Sequence, residues 1–357
     1  MTLLPDPAKL DHDIWGYLAA EKRPILLYGM GNGADKILAV LDKYGIPVAD
    51  FFASDGFVRR HAFHGKRVLS FSEIKEKYDD FIILLAFGSS RPEVLNLIYS
   101  IDGEYELYAP DVPVCGNTLF TLEYYQTNYA DFASVYASFA DDASREVYAD
   151  LIWYKLTAKI FYLRAAAAIQ ESPLSFTAYQ TMIDAGAYVG DTAKDFIDRA
   201  EKPKAVYAIE PDARTYKRLC RYAETETRAA VLPFCFCCGD KNAAVSFAAS
   251  GNRNSGIGGD TTVEMRTLDS LGVQNADYIK YDVEGAELAA LRGSAKTIAA
   301  SHPALLISCY HRTEDLLLLP RTLQKFYSEY TLYLRKAESL PAWDINLIAV
   351  YGKENTK

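Results

Sequence analysis

The chain lacks any apolar run long enough to cross a membrane. Runs such as Phe81–Phe87 and Ala165–Ile169 fall far short of the ~20 residues that a spanning helix needs. Its first residues hold no apolar signal core, because Asp6, Lys9, Asp11 and Asp13 interrupt them. Positive charge is also short: 38 Lys and Arg stand against 47 Asp and Glu, a net charge of −9. That balance, with a pI near 5.2, argues against a nucleic acid or an anionic membrane as partner. The six cysteines lack the paired spacing of a disulfide framework or a zinc site. Cys235 and Cys237 alternate on a strand and point to one face, which suits buried thiols in a reducing cytosol. The expected location is cytoplasmic, and a homo-oligomer is left open.

Half of the 357 residues are apolar, enough for about two domains with sizeable cores. The organising stretch is TMIDAGAYVGDT, residues 181–192. Residues 181–183 suit a strand, Asp184, Gly186 and Gly190 follow, and 192–199 read as helix. A strand, tight turn and helix in that order present backbone N–H groups at the carboxyl edge of a sheet. Gly186 and Gly190 are expected to let a ligand lie against bare backbone. Two carboxylates, Asp184 and Asp191, would repel a phosphate and suit a ligand carrying positive charge and hydroxyls. S-adenosylmethionine, with its sulfonium, amino acid and ribose, is such a ligand. The next strand ends on Glu210, about 20 residues past Gly190, where an acid can accept both ribose hydroxyls. A further strand, 276–281, runs into Asp282, Glu284 and Glu287.

Taken in order, DAGAYVGDT (184–192), IEPD (209–212), TLDSL (267–271) and KYDVEGAE (280–287) resemble the FkbM family of S-adenosylmethionine-dependent methyltransferases, over roughly residues 176–350. The resemblance implies an α/β class I methyltransferase fold: a Rossmann-like, mostly parallel sheet with an antiparallel edge hairpin. It also implies O-methylation of a hydroxyl on a small molecule, sugar or glycan. The cofactor would be S-adenosylmethionine, held by Asp184, Gly186, Tyr188, Gly190, Glu210 and Asp282. By resemblance in fold, Asp240 after the third strand would accept the adenine amino group; a plain turn aspartate is the equal alternative.

Ahead of this region, residues 1–110 read as a smaller Rossmann-like β/α domain. A buried strand at 24–28 enters Gly29, Gly31, Gly33 and Ala34, and a helix follows over 35–44, the context of a dinucleotide-binding turn. Asp50 and Asp55 both lie near the distance expected for a ribose acid. The turn supports two readings: a nucleotide or nucleotide-sugar site at Gly29, Gly31 and Gly33, or a structural, substrate-presenting role. An oxidoreductase or isomerase run from this unit would need a Tyr-x-x-x-Lys helix, and Tyr154 and Lys159 are one residue too far apart. A non-catalytic binding protein with the same fold is opposed by the intact Asp184, Gly186, Glu210 and Asp282.

Residues 111–175 change to tyrosine-rich segments with helical spacing and read as a helical connector whose aromatics pack. The methyltransferase domain, 176–357, is expected to place strands near 181–184, 204–209, 230–236, 244–248, 262–267, 276–281, 303–309, 330–335 and 344–351. The glycine-rich stretch 250–260 reads as a lid or substrate loop. Asp269 reads as a helix cap rather than a catalyst. His311 leaves an apolar strand at the same edge as Gly186, beside Asp282, and is the candidate base for removing the acceptor's proton. A neighbouring carboxylate would raise its pKa. The base reading needs no metal; the alternative is a divalent metal on Asp282, Glu284 and His311. A bland option is that these residues only order their loops.

Overall fold

The computed structural model describes residues 2–352 apart from 59–61, 170, 249–255, 258 and 260. Its smaller sheet is fully parallel, in the order Leu69–Ser70, Asp50–Ala53, Ile25–Tyr28, Ile82–Leu85, Glu106–Tyr108. The central strands are short runs buried on both faces, as a parallel sheet covered by helices requires. The larger sheet has seven strands, in the order Ala230–Phe234, Ala205–Ile209, Thr181–Ala185, Tyr278–Tyr281, Ala304–Ser308, Ile345–Tyr351, Tyr330–Lys336. Ile345–Tyr351 alone runs opposite to the other six strands, so the mostly parallel sheet with an antiparallel edge hairpin is present.

Two expected strands sit elsewhere. Ala243–Ala248 and Thr261–Arg266 pair with each other and join Cys237–Cys238 and Gly256–Ile257 in a separate four-stranded sheet. The reason lies in their amphipathicity. Thr261–Arg266 exposes half of its residues and buries only Met265, and this sheet has a small core of its own in Cys237, Phe247 and Met265. A strand with one wet face cannot stand in the middle of a sheet that is covered on both sides. Most of the expected lid at 250–260 lies outside the described residues.

Between the two sheets lie the helices Leu122–Thr127, Tyr129–Ser138, Asp142–Thr157 and Ile160–Ala167. Phe120, Tyr125, Phe132, Tyr148 and Tyr154 are buried, so the aromatic richness of this stretch goes into packing. The helix Asp142–Thr157 is bonded to both sides. Tyr154 OH donates to the carbonyl of Ala109 (2.8 Å), next to the smaller sheet. Tyr148 OH donates to the carbonyl of Leu316 (3.1 Å), and the N–H of Leu334 donates to Ser144 Oγ (2.9 Å), both in the larger unit. Ile83 and Leu107 of one sheet share a continuous apolar core with Ile183, Ile279 and Leu305 of the other. No described helix is long and apolar enough to cross a membrane.

Asp269 caps a helix, although not its own. Its carboxylate accepts the N–H groups of Lys296 (3.1 Å) and Thr297 (2.8 Å) and the Thr297 hydroxyl (2.9 Å), at the start of Ala295–Ser301. Two orphan backbone donors and one hydroxyl thereby find an acceptor. Asp269→Ala is expected to cost about 1–2 kcal/mol of stability, read as a lower urea midpoint with an unchanged slope.

Candidate active site

The site is built at the carboxyl edge of the larger sheet. In register, Asp184 stands opposite Lys280 and Ala185 opposite Tyr281, so the two strands leave the sheet side by side. The turn after Ala185 then folds onto the next strand's exit. A Cβ on Gly186 (φ 90°) would come within 1.9 Å of the carbonyl oxygen of Asp282. A Cβ on Gly190 (φ 92°) would come within 2.4 Å of the Tyr222 ring. Both glycines are therefore needed where chain lies on chain. Gly186 also borders the cavity described below; Gly190 does not.

Tyr188, itself at φ 49°, donates its N–H to Glu210 Oε2 (3.0 Å), and Asp212 donates its N–H to Oε1 (2.8 Å). Glu210 is buried. Burial pushes its carboxyl up to about 7, against the two N–H groups that favour the charged form. Asp184 is buried deeper, behind the turn. Its Oδ1 lies 3.3 Å from Lys280 Nζ, its Oδ2 has no partner, and it does not border the cavity. Burial pushes its carboxyl to about 6 although Lys280 opposes this. Burial would lower the pKa of Lys280, but Asp184 and Asp282 outweigh it and raise it. The lysine therefore holds its proton, which it donates to the carbonyl of Gly186 at 3.0 Å.

A cavity of about 710 Å³ opens over this edge. At one end Ile209, Phe236 and Cys237 form an apolar wall beside Glu210, with Tyr188 and Asp191. A flat base and a ribose fit such a wall with a buried acid next to it. Asp282, Glu284, Tyr310 and His311 lie in the cavity's lining, which also takes in Trp343, Asp344, Asn346 and, from the smaller unit, Gly88–Arg91. The smaller unit is clipped to this end. Ser89 and Leu340 exchange backbone hydrogen bonds of 2.8 and 2.9 Å, and a Cβ on Gly88 would strike the Trp343 ring at 2.1 Å.

Several expected site residues lie apart from this cavity. Asp240 is exposed and outside it; the wall after the third strand is made by Phe236, Cys237 and Cys238 instead. In the smaller unit, Gly29, Gly31 and Gly33 do not border it either. A Cβ on Gly29 would meet the Phe87 ring at 2.7 Å, and one on Gly33 the carbonyl oxygen of Ala86 at 2.5 Å. Only Gly31 faces open space. Asp50 is engaged by Lys77 and Tyr78, and Asp55 by Ser72, so both candidate ribose acids have internal partners.

His311 is 1 % exposed and stands among three carboxylates. Its Nδ1 lies 2.9 Å from Glu287 Oε1, and its Nε2 lies 3.5 Å from Glu284 Oε2 and 3.6 Å from Asp282 Oδ1. Burial alone would lower its pKa; Glu287, Asp282 and Glu284 outweigh that and push it up to about 9. For Asp282, burial is outweighed by Lys280 (3.5 Å) and His311, which hold its carboxyl low. Glu287 is the residue that sequence reasoning left without a role. It sits in the first turn of a helix, where an acid reads as ordinary dipole matching. That its side chain is fully buried could be known only from the fold.

Residues 184–329 match the family model described as the methyltransferase FkbM domain. Among solved structures, the methyltransferase FkbM from Methylobacillus flagellatus KT is similar over 98 % of this chain and 94 % of its own, with a TM-score of 0.69 and 20 % identity. At that identity the likeness is one of fold, and it extends through the smaller unit. An rRNA methylase from Streptococcus thermophilus (12 % identity, 49 % of this chain, 88 % of that one, TM-score 0.33) and fibrillarin of Aeropyrum pernix with natively bound S-adenosyl-L-methionine (15 %, 53 %, 74 %, TM-score 0.36) are more distant. A search of curated proteins finds no match. The matched domain is that of a methyltransferase.

The Glu210 carboxyl has a stability consequence. Its folded pKa of about 7 lies above its ordinary 4.5, so its contribution is fully present below the ordinary value and is lost as pH rises toward 7. Glu210→Gln is expected to raise the stability of the ligand-free protein by roughly 1–3 kcal/mol at pH 8 and to leave it nearly unchanged at pH 4.5. Urea melts at the two pH values check this.

Proposed function

Residues 184–329 are an FkbM methyltransferase domain, and from that premise we propose that the chain transfers the methyl group of S-adenosylmethionine to a hydroxyl oxygen of a sugar, a glycan or a similar polyhydroxylated small molecule. The observation that carries this reading is the continuity of one cavity from Glu210, through Asp282 and His311, to Trp343, Asp344 and Asn346.

The cofactor supplies an electrophilic methyl on a sulfonium. Glu210 accepts the ribose hydroxyls, since each of its oxygens takes one backbone N–H and keeps a lone pair. Asp191 and Asp282 give the cofactor's positive groups a favourable field. At the other end Trp343, 37 % exposed, offers an aromatic face for a sugar ring, and Asp344, Asn346, Ser89 and Ser90 offer groups that bond hydroxyls. The acceptor oxygen forms its bond to the methyl carbon as the carbon–sulfur pair returns to sulfur, and the acceptor's proton is released at the centre formed by Asp282 and His311. The smaller unit contributes a wall of the acceptor end, which favours the substrate-presenting role over a separate nucleotide site.

Two outcomes test the reading. Glu210→Ala should weaken S-adenosylmethionine binding by about 1–3 kcal/mol; an unchanged dissociation constant by calorimetry removes Glu210 from the cofactor site. His311→Ala should lose most of the turnover while keeping cofactor affinity. Wild-type turnover should climb from neutral pH toward about 9 as His311 gives up its proton. A flat pH profile, or an alanine variant at the wild-type rate, leaves His311 structural.

A further inference from the structure

We propose that a divalent metal cation binds at the carboxyl ends of strands Tyr278–Tyr281 and Ala304–Ser308, held by Asp282, Glu287 and His311. One potential ligand atom from each of these residues lies within 4.8 Å of the other two.

Three observations converge on this site. The first is unmet bonding deep in the protein. Neither ring nitrogen of His311 has a hydrogen-bond partner, and Glu287 Oε2 has none, although both side chains are essentially fully buried. Carboxylate oxygens stand close, yet the 2.9 Å contact to Nδ1 lacks hydrogen-bond alignment, and 3.5 and 3.6 Å at Nε2 are too long. Buried polar groups are nearly always satisfied. Carboxylate oxygens and an imidazole that converge without an aligned hydrogen bond are the arrangement a bound cation would satisfy.

The second is charge. Asp282, Glu284, Glu287 and Asp315 crowd around one imidazole. Of the other bases close by, Lys280 is shared with Asp184, and Arg312 turns its Nε to the carbonyl of Gly285. The third is rigidity. Glu287 Oε1 accepts the N–H groups of Val283 (2.9 Å) and Gly285 (3.3 Å), leaving Oε2 as the oxygen without a partner. Asp282 turns Oδ2 to Lys280 and Oδ1 toward His311. Two carboxylates with one imidazole suit Mn²⁺ or Mg²⁺, with Mn²⁺ favoured by the nitrogen. Asp282, Glu284 and His311 border the cavity, so a cation here would polarise a bound acceptor oxygen and lower its pKa in place of proton acceptance by His311, whose rise in turnover toward pH 9 then belongs to the metal-free protein. That use rests on the methyl-transfer reading; the binding of the cation does not.

The test is Mn²⁺ titration of the full chain after chelator treatment and dialysis, followed by electron paramagnetic resonance of free Mn²⁺. S-adenosylmethionine affinity is measured on the same samples. One Mn²⁺ per chain is expected. Glu287→Gln, Asp282→Asn and His311→Asn should each weaken it at least tenfold, whereas Asp131→Asn, at a surface ion pair with Arg321, should not. A cooperative urea transition with the wild-type slope identifies the variants that fold. No stoichiometric uptake by the wild type at millimolar Mn²⁺ overturns the proposal, and so does equal affinity in the folded variants. If Mn²⁺ binds as expected but S-adenosylmethionine binds to no form, the cation stands and the methyl-transfer reading fails.

Discussion

An ammonium group buried between two carboxylates sets the spacing of the whole site. Lys280 Nζ stands 3.3 Å from Asp184, 3.5 Å from Asp282 and 3.0 Å from the carbonyl of Gly186. Through these contacts the turn that leads to Tyr188 and Glu210 is tied to the strand end that carries the acceptor chemistry. Removing one partner from such a buried group typically costs about 3–5 kcal/mol, because the remaining charges lose their compensation. The same contacts explain why Asp184, the acid that opens the glycine turn, turns away from the cavity. Its charge is spent on holding Lys280, and the cavity meets the lysine and Asp282 instead.

Around this fixed point the chain places a second constraint, the helical layer. The helix Asp142–Thr157 is bonded to Ala109 on one side and to Leu316 and Leu334 on the other. Lys155 and Asp111 add a largely buried ion pair at 2.6 Å. With a common apolar core on both flanks, the loop Gly88–Arg91 arrives at the hairpin loop carrying Trp343 in one position, and the Ser89–Leu340 backbone pair closes the joint. The smaller Rossmann-like unit thus reaches the site through the loop after its fourth strand, not through its glycine turn. That turn is occupied by its own neighbours, Phe87 against Gly29 and Ala86 against Gly33.

Much of this was legible from residues alone. The length of apolar runs marked the strands of both parallel sheets, since burial on two faces demands continuous apolar strands; the edge hairpin came with the family resemblance. Acids at strand ends stood out because a strand of Val, Ile and Tyr that stops on Glu210 or Asp282 has no local reason for the charge. His311 beside Asp282 followed from strand order, and the raised imidazole pKa followed from that proximity. Asp269 as a cap was legible as a type of role; the helix it caps, 26 residues further on, was not.

What the tertiary structure alone decided is which atoms share a space. Sequence spacing places Asp184, Gly190 and Asp240 at the expected edge, but a side chain's direction there depends on its neighbours across the sheet. Lys280 claims Asp184, Tyr222 closes over Gly190, and Asp240 is left in solvent. Glu287 is the converse case. In the chain it is one more acid in the first turn of a helix, and only the docking of that turn under His311 makes it a buried carboxylate. Periodicity and strand-end chemistry are local, so the residues alone determined the sheets and the edge where chemistry gathers. The partners of each charge depend on contacts between segments tens to hundreds of residues apart, and those exist only once the sheets and the helical layer have packed.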